Sequence, residues 1–246
     1  MADADEHSAS RDCRQGVLAF GDSITNGGGE LQWGVALQSW ALWTARALGL
    51  PYTGYAVDGA GIADVVAQQL SAFERRQAHP DARFDVGCLY VGVNDVRAPG
   101  WDPVAFAGAY ASALGFLRDR CDRVLALTAP VSLGVPPARA KVRDLNGAVR
   151  RAAGAAGALI VDLSAFGARN HVMADRVHPT AFGQIAIAER ALAVLARDGL
   201  TARVAPATLI SFSPTRWRRL QGDWTYACRS AKLWARAAGL RVAGAQ

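Results

Sequence analysis

Short apolar runs alternate along the chain with longer stretches in which apolar residues recur at helical spacing. The runs predict strands at 16–20, 52–57, 84–93, 124–128 and 158–163. The stretches predict helices at 31–48, 62–73, 103–117, 138–153 and 180–195. Strands that are apolar throughout and separated by helices indicate a parallel sheet covered on both faces. We therefore predict an α/β fold with about five parallel strands.

Polar turns rich in glycine follow three of the predicted strands. They are residues 21–23, 58–59 and 92–95. In an open parallel sheet, ligands bind at the edge where the carboxyl ends of the strands lie. We therefore expect these turns to lie together and to form the functional site.

Ser23 comes directly after the first predicted strand, in the segment Gly-Asp-Ser-Ile-Thr of residues 21–25. A serine on a strand-to-helix turn is exposed and well placed to act as a nucleophile, but its hydroxyl needs a neighbouring base. The turn by itself favours a plainer interpretation, in which Ser23 caps a helix or completes the turn.

His178 is the candidate base, because it lies after the last predicted strand and three residues beyond Asp175. A carboxylate at that spacing can reach Nδ1 of the imidazole, fix its tautomer and stabilise the imidazolium. The alternative is a surface loop in which the two residues are neighbours by chance. Of the other histidines, His7 lies in the N-terminal segment 1–15, and His79 and His171 lie in polar loops.

Gly59 and Asn94 are candidate donors to a developing oxyanion. Acyl transfer needs hydrogen-bond donors already aimed at the oxygen that becomes negative. A glycine at a strand end offers its backbone N–H, and an asparagine offers its side-chain amide. Each is an ordinary turn residue when taken alone, but a serine, a histidine and two donors at strand ends form a coherent set.

These segments together resemble the blocks of the GDSL-type SGNH hydrolase family, a family of serine esterases and lipase-like enzymes. Ser23, Asn94 and His178 each lie in a matching block, and the resemblance covers about residues 16–198. The glycine block is the loosest match. We assign it to Gly59, with Gly61 as the alternative.

The resemblance implies a flavodoxin-like three-layer α/β/α sandwich and a serine hydrolase. Ser23 would attack a small or medium carboxylic ester and form an acyl-enzyme, whose acyl group is then hydrolysed or transferred. His178 would act as the general base, and Asp175 would orient it. The N–H groups of Ser23 and Gly59 and the side chain of Asn94 would form the oxyanion hole.

The family pattern also implies supporting roles for two carboxylates. Asp22 would brace the turn that carries Ser23, and Asp95 would support the loop that carries Asn94. The resemblance implies no metal ion and no organic cofactor. Simple esters, acetylated sugars, thioesters and lysophospholipids are all open as substrates.

Glycines and tryptophans near Ser23 have competing interpretations. The glycine run 27–29 lacks the Lys-Ser/Thr ending of a phosphate loop, so we interpret it as a flexible rim of the site. Trp33, Trp40 and Trp43 are interpreted as core or rim packing rather than as a platform for sugars, because large aromatic residues are mostly buried.

The charge of the chain is unevenly distributed. The 246 residues are 51% hydrophobic and carry a formal net charge of +6. Residues 199–246 hold eight basic residues and one acidic residue, a net +7, which leaves −1 for the other 198 residues. A body of this charge lacks the basic footprint of a nucleic-acid-binding domain, so no specific nucleic-acid partner is predicted.

The basic segment predicts an amphipathic helix over 213–240, interrupted at Gly222. Apolar positions recur at Trp217, Leu220, Trp224, Ala231, Trp234 and Ala238. Basic positions recur on another face, at Arg229, Lys232 and Arg236. The favoured interpretation is that the apolar face packs on the domain. The alternatives are a membrane or other anionic surface and a protein partner. A non-catalytic binding protein acting through this helix is the alternative to an enzyme.

The predicted organisation is a mobile leader at 1–15, a hydrolase domain at 16–198 and a helical extension at 199–246. No signal peptide or membrane span is recognised, which predicts a cytoplasmic protein. The cysteines form no CxxC pair, so neither a disulfide framework nor a zinc site is expected. They are Cys13, Cys88, Cys121 and Cys228. The oligomeric state is left open.

Overall fold

The computed structural model of the chain describes residues 14–30, 35–77, 82–210 and 215–243. Most of the predicted leader lies outside the described residues. So do His7, Cys13, Trp33 and His79, to which the sequence assigned positions or roles.

Five parallel strands form one sheet in the order β2-β1-β3-β4-β5. They are β1 (Val17–Gly21), β2 (Tyr52–Gly54), β3 (Phe84–Tyr90), β4 (Cys121–Leu127) and β5 (Leu159–Val161). This is the flavodoxin-like strand order, so the predicted fold class is confirmed. Every residue of β1 is buried, because helices cover both faces of the sheet.

The helices lie on both sides of the sheet, with α2 packed against α8 and α6 against α7. They are α1 (Ser23–Asn26), α2 (Trp40–Leu48), α3 (Ile62–Asp64), α4 (Leu70–Arg76), α5 (Val93–Arg97), α6 (Pro103–Arg120), α7 (Arg139–Ala156), α8 (Ala181–Arg197) and α9 (Arg216–Ala243). A π-helical stretch, Val65–Gln69, joins α3 to α4, and a short 3-10 turn, Pro206–Leu209, packs on α2 and α8.

The first predicted helix, at 31–48, begins later than its pattern suggests. Residues 35–39 are not helical, and α2 starts at Trp40 because the hydroxyl of Ser39 accepts a hydrogen bond from the N–H of Ala41 at 3.1 Å. Apolar spacing alone did not reveal this cap. Trp40 and Trp43 are buried in the core, as predicted.

The second and third predicted strands are shorter than their apolar runs. Strand β2 ends at Gly54, although the N–H groups of Tyr55 and Val57 still donate hydrogen bonds to carbonyls of β1. The chain leaves β3 at Tyr90 because Gly92, with φ +117°, turns it into α5. The polar turns at 58–59 and 92–95 therefore begin four and two residues after the ends of their strands.

Helix α9 departs from its prediction in two respects. It runs without a break through Gly222, since one glycine costs only about 1 kcal/mol in a long helix. Two of the three tryptophans on its predicted packing face, Trp217 and Trp224, are exposed to solvent, while the ring of Trp234 lies 5.8 Å from the guanidinium of Arg176 on the body. The helix also contacts the body through Asp223 and Arg229, which pair with charges on the body's surface.

None of the helices in the described part of the chain is both long and apolar enough to cross a bilayer. Cys88 and Cys121 are both buried. Across the described ranges, no three His, Cys, Asp or Glu side chains are grouped as metal ligands would be.

Candidate active site

The three polar turns lie side by side at the carboxyl edge of the sheet, as expected. The N–H of Val57 bonds to the carbonyl of Gly21 at 3.2 Å, which joins the second turn to the first. The side-chain amide of Asn94 donates to the carbonyl of Ala60 at 3.0 Å, which joins the third turn to the second.

Ser23 is the first residue of α1, and Asp22 is the N-cap of that helix. The Asp22 carboxylate accepts a hydrogen bond from the N–H of Ile24 at 2.9 Å. A four-residue helix therefore follows β1 immediately, and the chain then folds back. The N–H of Gly28 donates to the carbonyl of Ser23 at 2.6 Å, an approach for which a β-carbon at residue 28 would leave no room.

Ser23, His178 and Asp175 form a chain of hydrogen-bonded side chains. The hydroxyl oxygen of Ser23 lies 3.0 Å from Nε2 of His178. Nδ1 of the same imidazole lies 2.7 Å from the Asp175 carboxylate. The other oxygen of that carboxylate accepts hydrogen bonds from the N–H groups of Val177 and His178 at 2.9 and 3.1 Å. The nucleophile–base–carboxylate arrangement of a serine hydrolase has this geometry.

The loop that carries His178 is shaped by its backbone. Arg176 has φ +56°, a left-handed conformation that non-glycine residues seldom adopt, and its carbonyl accepts from the N–H of Gly134 at 3.0 Å. The His178 carbonyl accepts from the N–H of Met173 at 2.9 Å. Thr180 then caps α8 through its side chain. The imidazole is therefore held between a tight turn and a helix start.

The pKa values of the Asp175 and His178 side chains shift in opposite directions. The hydrogen bond to Asp175 raises the pKa of His178 above its usual value, although burial opposes the shift. Burial would raise the pKa of Asp175, but the hydrogen bonds from His178 and from the backbone outweigh it and lower that pKa. The pair therefore favours an ionised carboxylate beside an imidazole that readily accepts a proton.

Asp22 is a second carboxyl group close to His178. Burial raises the pKa of Asp22 to about 7, against the lowering effects of the Ile24 N–H and the His178 charge. One of its oxygens is buried without a hydrogen-bond partner among the described residues. Asp22 thus caps the turn and also places a titratable carboxyl group next to Ser23, the candidate nucleophile.

The backbone distinguishes Gly59 from Gly61 as a donor. The N–H of Gly61 is committed to the Asp64 carboxylate at 2.9 Å. Gly59 has φ +80°, and within the described ranges no acceptor is bonded to its N–H or to the N–H of Ser23. Two uncommitted N–H groups at neighbouring strand ends are what an oxyanion hole needs.

Asp95 lies beside Asn94 and ties its helix to the second turn. Both oxygens of the Asp95 carboxylate accept from the N–H of Ile62, at 3.1 and 3.2 Å. Burial raises the pKa of Asp95, and the hydrogen bond from Ile62 opposes that shift. The start of α3 and the segment bearing Asn94 are therefore linked through this carboxylate.

Sequence reasoning missed Gln69, a buried residue that holds the end of β1. Its side chain accepts from the N–H of Gly21 at 3.0 Å and donates to the carbonyl of Gly21 at 2.8 Å. The available signal was a glutamine inside the apolar helical stretch 62–73. That signal predicts a buried amide, but it does not identify the backbone that the amide meets.

A second buried glutamine, Gln184, was also missed. It donates to the carbonyls of Ile24 and Gly28 at 2.9 and 3.1 Å, and it accepts from the N–H of Trp40 at 2.8 Å. Gln184 lies on α8, six residues after His178. One helix therefore fixes both the turn bearing Ser23 and the loop bearing the imidazole.

Comparison with protein families gives one match over most of the chain. The model of the GDSL-like lipase/acylhydrolase family matches residues 19–185. This range begins inside β1 and ends inside α8, so it contains all the residues of the site described above. No curated protein matches the chain.

Solved structures resemble this fold at low sequence identity. An acetylxylan esterase of Geobacillus stearothermophilus, Axe2, is 18% identical over 74% of this chain and 94% of its own, with a TM-score of 0.57. The α/β hydrolase LAE5, from the metagenome of Lake Arreo in Spain, is 22% identical over 74% and 95%, with a TM-score of 0.54. A protein of Slackia heliotrinireducens described as an SGNH hydrolase is 19% identical over 74% and 99%, with a TM-score of 0.58. Likeness at this level shows a shared fold.

Proposed function

The chain belongs to the GDSL-like lipase/acylhydrolase family and is a carboxylic ester hydrolase of the SGNH type, and we propose that it works through an acyl-enzyme on Ser23. The observation that carries this proposal is the pair of distances that link the side chains of Ser23, His178 and Asp175. Ser23 Oγ lies 3.0 Å from His178 Nε2, and His178 Nδ1 lies 2.7 Å from Asp175. Both distances are within hydrogen-bond reach.

In the first step, Oγ of Ser23 attacks the acyl carbonyl while Nε2 of His178 takes the hydroxyl proton. The imidazolium gives that proton to the leaving alcohol oxygen as the ester C–O bond breaks. Water then attacks the acyl-enzyme, with His178 again acting as the base, and releases the carboxylic acid and the free serine. Asp175 keeps Nδ1 protonated and stabilises the imidazolium throughout.

The carbonyl oxygen becomes negative in each tetrahedral intermediate. We assign its donors to the backbone N–H groups of Ser23 and Gly59 and to the side chain of Asn94. Asn94 spends one amide hydrogen on the Ala60 carbonyl, so its orientation is fixed and the second hydrogen is left to donate. Removing one such donor in a serine hydrolase costs about 10²–10³ in kcat.

The proposed substrate is a carboxylic ester with a small or medium acyl group. Support for a short acyl group comes from Axe2, which is described as an acetylxylan esterase and whose fold this chain shares. The alcohol part of the ester, and the balance between hydrolysis and acyl transfer, are left open in this proposal.

The test compares Ser23→Ala with a serine control in the same chain. Ser112 lies exposed on α6 and bonds only to a carbonyl of its own helix, so Ser112→Ala is the matched control. The substrates are p-nitrophenyl acetate and p-nitrophenyl butyrate. We expect Ser23→Ala to lose at least about 10³-fold in kcat/KM, while Ser112→Ala stays at the wild-type rate.

Retention of wild-type activity by Ser23→Ala would exclude Ser23 as the nucleophile. An equal loss in both variants would also count against the proposal, because it would indicate a general effect of serine removal. Circular dichroism of each variant shows whether its fold is kept.

A further inference from the structure

Helix α9 carries a row of large apolar side chains that are open to solvent. Trp217, Leu220 and Trp224 are 74%, 61% and 73% exposed. Their spacing of three and four residues places them on one face of the helix. We call these three residues the tryptophan row. A contiguous apolar patch of this kind on a folded protein is typical of an interaction surface.

The opposite face of α9 contacts the body. The ring of Tyr226 lies 5.0 Å from the guanidinium of Arg169, and Ala237 is only 8% exposed. Tyr226 follows Trp224 by two residues, which is about 160° around the helix axis. The tryptophan row therefore faces outward as long as these contacts hold.

Two ion pairs join α9 to the body. Arg229 pairs with Glu30 at 2.6 Å, and Asp223 pairs with Arg169 at 2.5 Å. Exposed ion pairs contribute little stability, so these two identify the side of α9 that faces the body without accounting for the energy of that contact.

The charge of α9 indicates the kind of surface that it fits. Residues 216–243 contain seven Lys and Arg residues and one acidic residue, so the helix carries a net +6. The rest of the chain then holds 20 of the 27 basic residues and 20 of the 21 acidic ones, and it is formally neutral. Lys232 and Arg236 are exposed, as their side chains must be to meet a partner of opposite charge.

We propose that α9 binds the surface of an anionic phospholipid bilayer, lying in the plane of the interface with the tryptophan row inserted. Tryptophan favours the boundary between lipid chains and headgroups, where its ring is buried and its N–H stays hydrated. The long basic side chains reach the anionic headgroups from the flank of the helix. A second copy of the chain fits this surface poorly, because pairing two rows would bring two helices of +6 together.

The attachment points of α9 lie next to the candidate active site. Glu30 follows the glycine turn after Ser23, and Arg176 stands two residues before His178. The guanidinium of Arg176 lies 5.8 Å from the ring of Trp234 on α9. Helix α9 would therefore lie between a bilayer bound to the tryptophan row and the segments that carry Ser23 and His178.

The experiment is vesicle flotation of the full chain. Vesicles of phosphatidylcholine alone are compared with vesicles that contain about 30% phosphatidylserine. The first variant combines Trp217→Ser with Trp224→Ser, and the second combines Lys232→Glu with Arg236→Glu. The matched control is Val104→Ser, because Val104 is an 80% exposed apolar residue on α6 of the body.

We expect the wild-type chain and Val104→Ser to float with the anionic vesicles and to bind phosphatidylcholine at least tenfold more weakly. Both double variants should lose at least tenfold in binding to the anionic vesicles. Hydrolysis of soluble p-nitrophenyl acetate should be unchanged in all of them, because none of these residues belongs to the catalytic machinery.

Three outcomes would overturn the proposal. The first is a wild-type chain that does not float with anionic vesicles. The second is a tryptophan-row variant that binds as the wild type does. The third is a wild-type dimer, measured by sedimentation, that the tryptophan-row variant dissociates while no form of the chain binds vesicles. That result would assign the row to a second copy.

Discussion

At the scale of single residues, the proposed catalysis depends on the pKa of His178. The hydrogen bond that Nδ1 of His178 donates to Asp175 raises the pKa of His178, and the charge of Asp22 acts in the same direction. The Arg97 charge opposes them. Only the neutral imidazole can take the proton of Ser23, so activity should rise with pH through the pKa of His178.

The Asp175→Asn variant tests this tuning through the pH profile of kcat/KM. In the wild type, the midpoint of the rising limb should lie above 6.5, the usual pKa of histidine. Without the carboxylate the midpoint should move to lower pH, and the plateau should fall by about 10⁴-fold as the tautomer and the imidazolium lose support. The measurement is hydrolysis of p-nitrophenyl acetate over a range of pH.

Asp144→Asn is the control for Asp175→Asn, because Asp144 is an exposed carboxylate on α7, away from the site. Its profile should match the wild type. A midpoint that stays in place or rises in Asp175→Asn would show that Asp175 does not set the pKa of the base.

At the scale of elements, strand ends position the chemistry, and buried amides hold those ends in place. The apolar runs predicted the five strands, and the residues after them predicted which turns meet. The hydrogen bonds from Gln69 and Gln184 could not be predicted in this way. A polar residue in an apolar stretch shows that an amide is buried, but its partner is 48 residues away in one case and 160 in the other.

Replacement of Gln69 by leucine should destabilise the fold at the end of β1. The buried N–H of Gly21 would lose its partner, which costs about 1–3 kcal/mol, while the carbonyl of Gly21 would lose one hydrogen bond and keep the one from the N–H of Val57. We expect Gln69→Leu to lower the free energy of unfolding by about 1–3 kcal/mol, measured by urea titration.

Gln68→Leu is the neighbouring control, since Gln68 is exposed and bonds only to Asp64 on its own helix. Its unfolding free energy should stay within about 0.5 kcal/mol of the wild type. Equal effects of the two substitutions would mean that the hydrogen bonds to Gly21 contribute nothing.

At the scale of the whole molecule, a formally neutral body carries the candidate active site and one basic helix carries the charge. The sequence predicted a helix in this segment with an apolar face packed on the body. Amphipathic spacing defines faces without identifying their partners, so it could not show that Trp217 and Trp224 face solvent. On the side of α9 that meets the body, Arg229 and Asp223 form ion pairs with residues that lie 199 and 54 residues earlier in the chain.

The start of α2 shows the same limit of sequence reasoning. Apolar spacing continued upstream of Trp40, but the cap at Ser39 begins the helix there. The residues of the candidate site were easier to find, because each one follows a strand that its own apolar run predicts. Local pattern and the family resemblance together pointed to Ser23, Asn94 and His178 as candidates, while contacts between distant segments stayed hidden.

The most direct test of the central claim is covalent labelling with a fluorophosphonate probe, followed by peptide mass spectrometry. The probe reacts with serines that a neighbouring base activates. The account predicts a single adduct on Ser23 in the wild type, much slower labelling in His178→Ala and no adduct in Ser23→Ala. An adduct on a different serine, or equal labelling of Ser23→Ala and the wild type, would contradict it.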